Sequence, residues 1–288
     1  MTPEQRNRLV EQLEILLPDE GLYPSLSDGI ELVRSNHVTS RQAIIYQPIL
    51  YIVLQGSKQS YLGSECYRYD PLNFLALSVP LPMEGHVIEA SPEKPYLAIK
   101  IGFTKEMILE MMVQVPAMQE NVLANRGVCV SPLTERMEDA LVRLIDALTD
   151  TNRASLLAPM VVKELIYYAL LGPQGAQLAA FVTQGKYHER IAHVINYIQS
   201  HYADPLDIAT LAGEASMSVS SLHQHFKSVT NVSPLQYIKQ VRLHQAKELV
   251  SMPQGSISDA AYKVGYQSLS QFSREYKRMF GVPPSQSA

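Results

Sequence analysis

The sequence predicts an α+β chain of two parts. The N-terminal half reads as short antiparallel strands closed into a small barrel or jelly roll with flanking helices, and the C-terminal half as all-α with two helix-turn-helix units. Three observations carry this. From about Ala43 to Phe103, segments rich in Tyr, Ile, Val and Leu are broken every 8 to 12 residues by Gly56, Gly63, Asp70-Pro71, Pro80, Gly85 and Ser91-Pro92, the rhythm of short strands. After Thr104 the apolar spacing turns helical, and beyond Lys186 no strand pattern survives. In the C-terminal part an apolar pattern repeats at an offset of 50 residues.

The elements follow in chain order. Leu9, Leu13, Leu16 and Leu17, with charges between them, predict an amphipathic first helix, started by Thr2 as N-cap, Pro3 at N1 and Gln5 closing a capping box. The best strand candidates are Tyr51-Ile-Val-Leu, Ser60-Tyr-Leu, Tyr67-Arg-Tyr, Phe74-Leu-Ala-Leu and Leu97-Ala-Ile-Lys-Ile. Closing such a set removes exposed sheet edges. Residues 104–114, 132–150 and 155–171 have helical spacing, the last through Leu157, Val161, Leu165 and Tyr168. Leu165 to Gly185 carries no charge, but Gly172, Pro173 and Gly175 interrupt it, which argues against a membrane span. The stretch from Gly172 to Gly185 predicts a flexible tether between a sensing domain over 1–175 and a second domain over 186–288.

Composition bounds the function. With 288 residues, 46% hydrophobic and 18% charged, the chain has apolar material for two cores, which excludes disorder as its main state. The net charge of -4 conceals an asymmetry: residues from Lys186 onward hold 10 basic and 7 acidic side chains, so the excess of acid lies in the first half. Cys66 and Cys129 match no metal spacing and no disulfide framework, and point to a reducing cytoplasm. Either thiol as an oxidant sensor would need exposure and a low pKa, and a buried strand cysteine is the simpler expectation for both.

The repeat carries the chemistry. Val219, Leu222, Phe226 and Val229 fall at i, i+3, i+7 and i+10, and Leu269, Phe272, Tyr276 and Met279 do the same 50 residues later. Each helix follows a serine N-cap, Ser218 or Ser268, and each is preceded by a shorter helix and a tight turn at Ala215 or Gly265. A major groove admits one helix whose polar side meets base edges while its apolar side is locked to a neighbour. The candidate base-contacting residues are Ser220, His223 and Gln224 in the first copy and Ser270, Gln271 and Arg274 in the second. Ser218, Lys227, Ser268, Lys277 and Arg278 are the phosphate candidates. Arg274 suits guanine O6 and N7, whereas Gln224 at the equivalent place suits adenine N6 and N7.

The run Leu211-Ala-Gly-Glu-Ala-Ser-Met-Ser-Val-Ser-Ser-Leu-His-Gln-His-Phe-Lys, then Ser233-Pro-Leu-Gln-Tyr-Ile, Arg242-Leu and Ala261-Tyr-Lys-Val-Gly-Tyr-Gln-Ser-Leu-Ser-Gln-Phe-Ser-Arg-Glu-Tyr-Lys-Arg-Met-Phe-Gly resembles the AraC/XylS transcription regulators over roughly 100 residues. Tyr46-Gln-Pro, Gln55-Gly, Tyr67-Arg-Tyr-Asp, Ser78-Val-Pro-Leu-Pro and Glu89-Ala-Ser-Pro resemble the effector domain of one branch of that family. The resemblance implies a cupin-like N-terminal barrel that senses a small molecule, and two helix-turn-helix units joined by a long helix, here about Pro234 to Ser251. The apolar stripe of 155–171, continuing into Tyr167, Tyr168 and Leu171, predicts a homodimer held by the N-terminal half, with covering of the barrel alone as the alternative. The resemblance further implies promoter double-stranded DNA and RNA polymerase as partners, and activation rather than repression. Many members have Arg where this chain has Gln224. Arg242, inside the apolar stripe of the connecting helix, is expected to be a structural ion-pair partner rather than a DNA contact.

Tyr46, Tyr51 and Tyr67, each an apolar ring with a polar tip, are the candidates for the effector pocket, with a core role as the alternative. No metal or cofactor is expected. His188 and His193 stand at i+5, off a common helix face, and the barrel segment offers only His86, with His37 ahead of it. There is no P-loop, G-x-S-x-G or G-x-G-x-x-G. The competing reading, a cupin-type small-molecule-binding protein or enzyme with a helical appendage, would show no salt-dependent DNA binding.

Overall fold

The computed structural model describes residues 3–113, 126–180, 187–251 and 256–286. The N-terminal half opens with α1 (Pro3–Leu16) and strands β1 (Gly21–Pro24), β2 (Ile30–Ser35), β3 (Gln42–Tyr46), β4 (Ile49–Gln55), β5 (Ser57–Leu62), β6 (Glu65–Tyr69), β7 (Asn73–Leu77), β8 (Leu81–Glu89) and β9 (Tyr96–Gly102). Then come α2 (Lys105–Met112), β10 (Val128–Pro132), α3 (Glu135–Ala147), α4 (Thr151–Leu171) and α5 (Gly175–Ala179). The cap expected at Thr2 lies outside the described residues.

The strands form two antiparallel sheets. Six run in the order β1-β2-β9-β4-β7-β10 and four in the order β3-β8-β5-β6. The expected barrel is therefore a two-sheet jelly roll, and no hydrogen-bonded ring closes around it among the described residues. In β4 the period of two sends Leu50, Ile52 and Leu54 into one core with α1 to α5, and Ile49, Tyr51 and Val53 into a second core with the four-stranded sheet. Both faces are buried, which is why β4 is an unbroken apolar run.

Helices α3 and α4 begin where Thr134 and Asp150 accept the backbone N–H of Met137 and Arg153. Composition and length would let α4 cross a membrane. Its Ala154, Ala158, Leu165 and Ile166 are instead buried in the first core. Leu156 and Met160, a turn apart, are 67% and 63% exposed.

The C-terminal half is helical throughout its described residues: α6 (Tyr187–His201), α7 (Ile208–Glu214), α8 (Val219–Thr230), α9 (Pro234–Val250), α10 (Ile257–Lys263), α11 (Leu269–Phe280) and a 3-10 turn at Pro284–Gln286. A full capping box of Ser233 and Gln236, with Pro234 at N1, starts α9.

The tether expected over 172–185 is corrected. Leu178 and Ala179 in α5 are buried in the first core, and Gln177 donates to the carbonyls of Arg126 and Val128 at 3.1 and 3.0 Å. Residues 181–185 lie outside the described residues. Nor do the two halves stand apart: Ile191, Val194, Leu222, Phe226 and Tyr237 share one continuous apolar cluster with Val79, Leu81 and Leu77 of the jelly roll. Tyr237 accepts from Gln199 and donates to the carbonyl of Pro80, both at 3.0 Å. Such apolar packing joins the two halves directly, unlike the contact between freely tethered units.

Candidate nucleic-acid interface

Two helix pairs, α7–α8 and α10–α11, are built alike. Asp207 and Ser256 cap the first helices through the N–H of Thr210 and Asp259. Ser218 and Ser268 cap the second ones through the N–H of Ser221 and Gln271. The turns need one left-handed residue each. That residue is Ser216 (φ 49) in the first copy, one position past the expected Ala215, and Gly265 (φ 88) in the second. A Cβ on Gly265 would lie 2.5 Å from the carbonyl oxygen of Ala203, so the second turn has no room for a side chain. The caps Asp207 and Ser256 are 49 residues apart, while Ser218 and Ser268 are 50 apart. The second turn thus holds one extra residue.

The apolar stripes lock α8 and α11 onto their neighbours. Leu222, Phe226 and Val229 are buried in α8, and Phe272 and Tyr276 in α11. Val219 and Leu269, expected in the stripes, are 46% and 38% exposed at the helix starts. The opposite faces carry the predicted residues. Ser220, Gln224, Ser270, Gln271 and Arg274 are exposed, as are Ser218, Lys227, Ser268 and Lys277, while His223 is half-buried. Gln271 is not idle: its amide donates to Glu275 at 3.2 Å, and Glu275 also receives Lys239 at 3.0 Å and the Tyr266 hydroxyl at 2.8 Å. Against its own burial, those donors hold the Glu275 carboxyl below its ordinary range. Arg278 is exposed as well. It lines a cleft of about 500 Å³ between α11, α9 and the four-stranded sheet, with Met83, Leu243 and Met279 among the other walls. His225 stacks on Tyr187 at 4.2 Å and so points off the polar face.

Arg242 is structural as expected, with a correction. Its partners are three backbone carbonyls rather than a carboxylate: Nε donates to Tyr202 at 2.6 Å, Nη2 to Asp204 at 2.8 Å and Nη1 to Gly265 at 3.3 Å. It ties the end of α6 to the turn of the second helix pair, where backbone acceptors outnumber donors.

In the jelly roll, Tyr46 and Tyr51 meet edge to face at 6.2 Å, and Tyr51 meets Tyr69 at 5.4 Å. Tyr67 is not with them. It is half-buried, donates to Glu65 at 2.7 Å, and both burial and that carboxylate raise its phenol above the ordinary range. Sequence reasoning missed Lys58, whose buried Nζ donates to the Tyr51 hydroxyl at 3.2 Å and sits 4.6 and 5.6 Å from the Tyr51 and Tyr46 rings. The Tyr46 and Tyr96 hydroxyls are buried nearby. Cys129 is buried in β10 and burial pushes its thiol to about 12, whereas Cys66 is exposed in β6, against the expectation of burial. No group of three or more His, Cys, Asp or Glu suited to a metal occurs among the described residues.

Comparison with known proteins agrees with this architecture. Residues 27–177 match the profile of the AraC-type transcriptional regulator N-terminus, and residues 211–287 match a helix-turn-helix domain. The HTH-type transcriptional activator RhaS of an Escherichia coli O139:H28 strain is 30% identical over 95 residues, 33% of this chain and 34% of RhaS. The probable transcriptional regulator LumQ of Photobacterium leiognathi is 33% identical over 99 residues, 34% of this chain and 40% of LumQ. The chain thus spans little more than a third of the length of these curated relatives. An apo ToxT variant from Vibrio cholerae superposes with a TM-score of 0.62 at 13% identity, covering 91% of this chain and 98% of ToxT. Wild-type ToxT bound to an unsaturated fatty acid superposes at 0.59 with 13% identity, covering 90% and 92%. The fold is shared along nearly the whole chain, the N-terminal profile alone spans more than half of it, and the chain belongs to the AraC-type transcriptional regulators.

Proposed function

We propose that this chain is a sequence-specific DNA-binding activator of transcription that responds to a small molecule. One observation carries the reading: two N-capped recognition helices with buried apolar stripes and exposed polar faces, duplicated in one chain and joined by α9. Ser220, His223 and Gln224 in α8 and Ser270, Gln271 and Arg274 in α11 contact base edges in successive major grooves. Ser218, Lys227, Ser268, Lys277 and, at the rim of its cleft, Arg278 meet phosphates. Residues 1–175 form the sensing and pairing unit and 186–288 the DNA-binding unit, with RNA polymerase as a further partner and the cytoplasm as the compartment.

The effector enters the jelly roll near Tyr46 and Tyr51. Tyr67, bonded to Glu65, acts at its edge. ToxT, which shares this fold, has an unsaturated fatty acid bound in its wild-type structure, and we extend a small-molecule effector to this chain on the match of residues 27–177 to the AraC-type N-terminus. The chain pairs as a homodimer through the exposed Leu156 and Met160 of α4. The relatives this chain matches are transcriptional regulators, and we read the exposed polar faces of α8 and α11 as DNA contacts.

The test is enrichment of a random-sequence duplex pool on the full chain, followed by titration of the enriched duplex at several salt concentrations. A defined motif whose affinity falls steeply with salt is expected. Sedimentation of the full chain as a monomer at micromolar concentration would remove the pairing claim.

A further inference from the structure

The sensing half grips the C-terminal end of the first recognition helix. Arg126, just ahead of β10, forks onto the Glu65 carboxylate, with Nε at 3.1 and 3.0 Å from its two oxygens and Nη2 at 2.6 Å from one. Its Nη1 donates to the carbonyl of Ser228 and, at 3.4 Å, to that of Lys227, both in the last turn of α8. Asn231, the left-handed residue (φ 59) that ends α8, donates its side-chain amide to the carbonyl of Leu62 at 2.6 Å. The Lys227 carbonyl already accepts the Asn231 N–H at 2.9 Å, so the guanidinium is favourable chiefly as donor to the Ser228 carbonyl and as a positive charge at the negative end of the helix dipole.

The contact has little slack. A Cβ on Gly63, at the tip of the β5–β6 hairpin, would lie 2.2 Å from Asn231 Nδ2. At that tip Leu62 pairs with Glu65, and at the other end of the same ladder Lys58 pairs with Tyr69. Lys58 and Tyr69 belong to the buried tyrosine cluster, through Tyr51. One short, fully paired hairpin therefore runs from the interior of the jelly roll to the end of α8. The Tyr67 hydroxyl bond fixes the Glu65 carboxylate for its part.

We propose that Glu65, Arg126 and Asn231 are positioning residues that fix the first recognition helix to the β5–β6 hairpin, so that the sensing half sets the angle at which the DNA-binding half is presented and, in the dimer, the half-site spacing it accepts. This rests on the proposed DNA contacts of α8 and α11 and on pairing through α4. The three residues lie at the far end of α8 from its N-terminal turns, which meet the bases, so they act on geometry and leave base choice alone.

The experiment uses the full chain and duplexes enriched from a random pool on the wild type: one duplex with a single site, and a series with two sites whose spacing is stepped one base pair at a time through a helical turn. Asn231→Gly keeps the left-handed cap, since glycine adopts it freely, and removes only the side chain that reaches Leu62. Arg126→Gln removes the charged fork. For the wild type, affinity should vary about tenfold or more across the spacing series, and in either variant that contrast should shrink to about threefold or less, with single-site affinity within about twofold of wild type. Should Arg126→Gln fail to fold, Asn231→Gly decides alone. A variant that keeps the wild-type contrast overturns this inference and leaves the pairing and DNA readings standing. Parallel loss of single-site affinity in Asn231→Gly overturns it as well, by assigning that residue to the integrity of α8. A wild type that binds its motif without any spacing contrast overturns the pairing reading and this inference together, and a wild type that enriches no motif overturns the DNA reading with them.

Discussion

Arg242→Met separates a structural arginine from a DNA contact. The substitution keeps an unbranched apolar stem and removes the guanidinium that bonds Tyr202, Asp204 and Gly265. Hydrogen bonds from a charged donor contribute about 1.5 kcal/mol or more each when they are shielded from water. The bonds to Tyr202 and Gly265 are partly buried, while the one to Asp204 is exposed and water replaces it. Burial also draws the Arg242 pKa below its ordinary value, a sign of the desolvation cost that the bonds offset. The net loss is therefore about 2–3 kcal/mol, confined to the packing of the second helix pair on the end of α6. Urea unfolding of wild type and variant at equal protein concentration measures it, alongside the salt dependence of binding to the enriched duplex. A stability loss below about 0.5 kcal/mol together with a salt slope reduced by about one unit would refute the reasoning, because that pair of results belongs to a phosphate contact.

Three further outcomes follow from the same geometry. Gly265→Ala should cost about 2 kcal/mol or more, since it combines a positive φ of 88 with a Cβ placed 2.5 Å from a backbone oxygen, and thermal unfolding will show it. His244 is mostly buried, and burial, with the Lys247 charge second, lowers its pKa from 6.5 to about 4. The unfolded chain then takes up a proton that the native state refuses. The His244 contribution should be complete above about pH 6.5 and decline toward pH 4 by roughly 3 kcal/mol, and His244→Leu should remove that part of the acid-side decline. Iodoacetamide should label Cys66 in the native protein and reach Cys129 only on unfolding, because Cys129 is buried and its thiol is held at about 12; native labelling of Cys129 would contradict the packing of β10.

What was legible in the sequence was what depends on local periodicity. The strands at β4, β5, β6, β7 and β9, the helices α3 and α4, and the whole duplicated unit show themselves through spacing, because an amphipathic helix or strand writes its buried face into residues two, three or four apart. The short β1 and β10 carry too few residues for a period to stand out. In β2, buried Ile30 and Leu32 alternate with charged Glu31 and could have been recognised. Lys58 was missed because Ser57-Lys58-Gln59-Ser60 looks polar throughout; only pairing with Tyr69 shows that Lys58 faces inward. Arg126 has partners 61 and 102 residues away, and no local pattern encodes such a contact. The tether failed for a related reason: Gly and Pro mark where a helix ends, but burial of Leu178 is decided by the distant core it meets. Arg242 was placed correctly in a structural role, yet its acceptors are backbone carbonyls, which composition never displays.

The central claim, that α8 and α11 select DNA sequence, is tested most directly by enriching a random duplex pool on wild type and on Arg274→Ala in parallel. Arg274 is exposed on the polar face of α11, where a guanidinium reaches guanine O6 and N7. Wild type should enrich two blocks about one helical turn apart, with adenine favoured opposite Gln224 and guanine opposite Arg274. Arg274→Ala should keep the first block, lose its preference at one base pair of the second, and bind the wild-type motif about 1–3 kcal/mol more weakly. An unstructured pool from the wild type, or an unchanged motif from Arg274→Ala, would contradict the account.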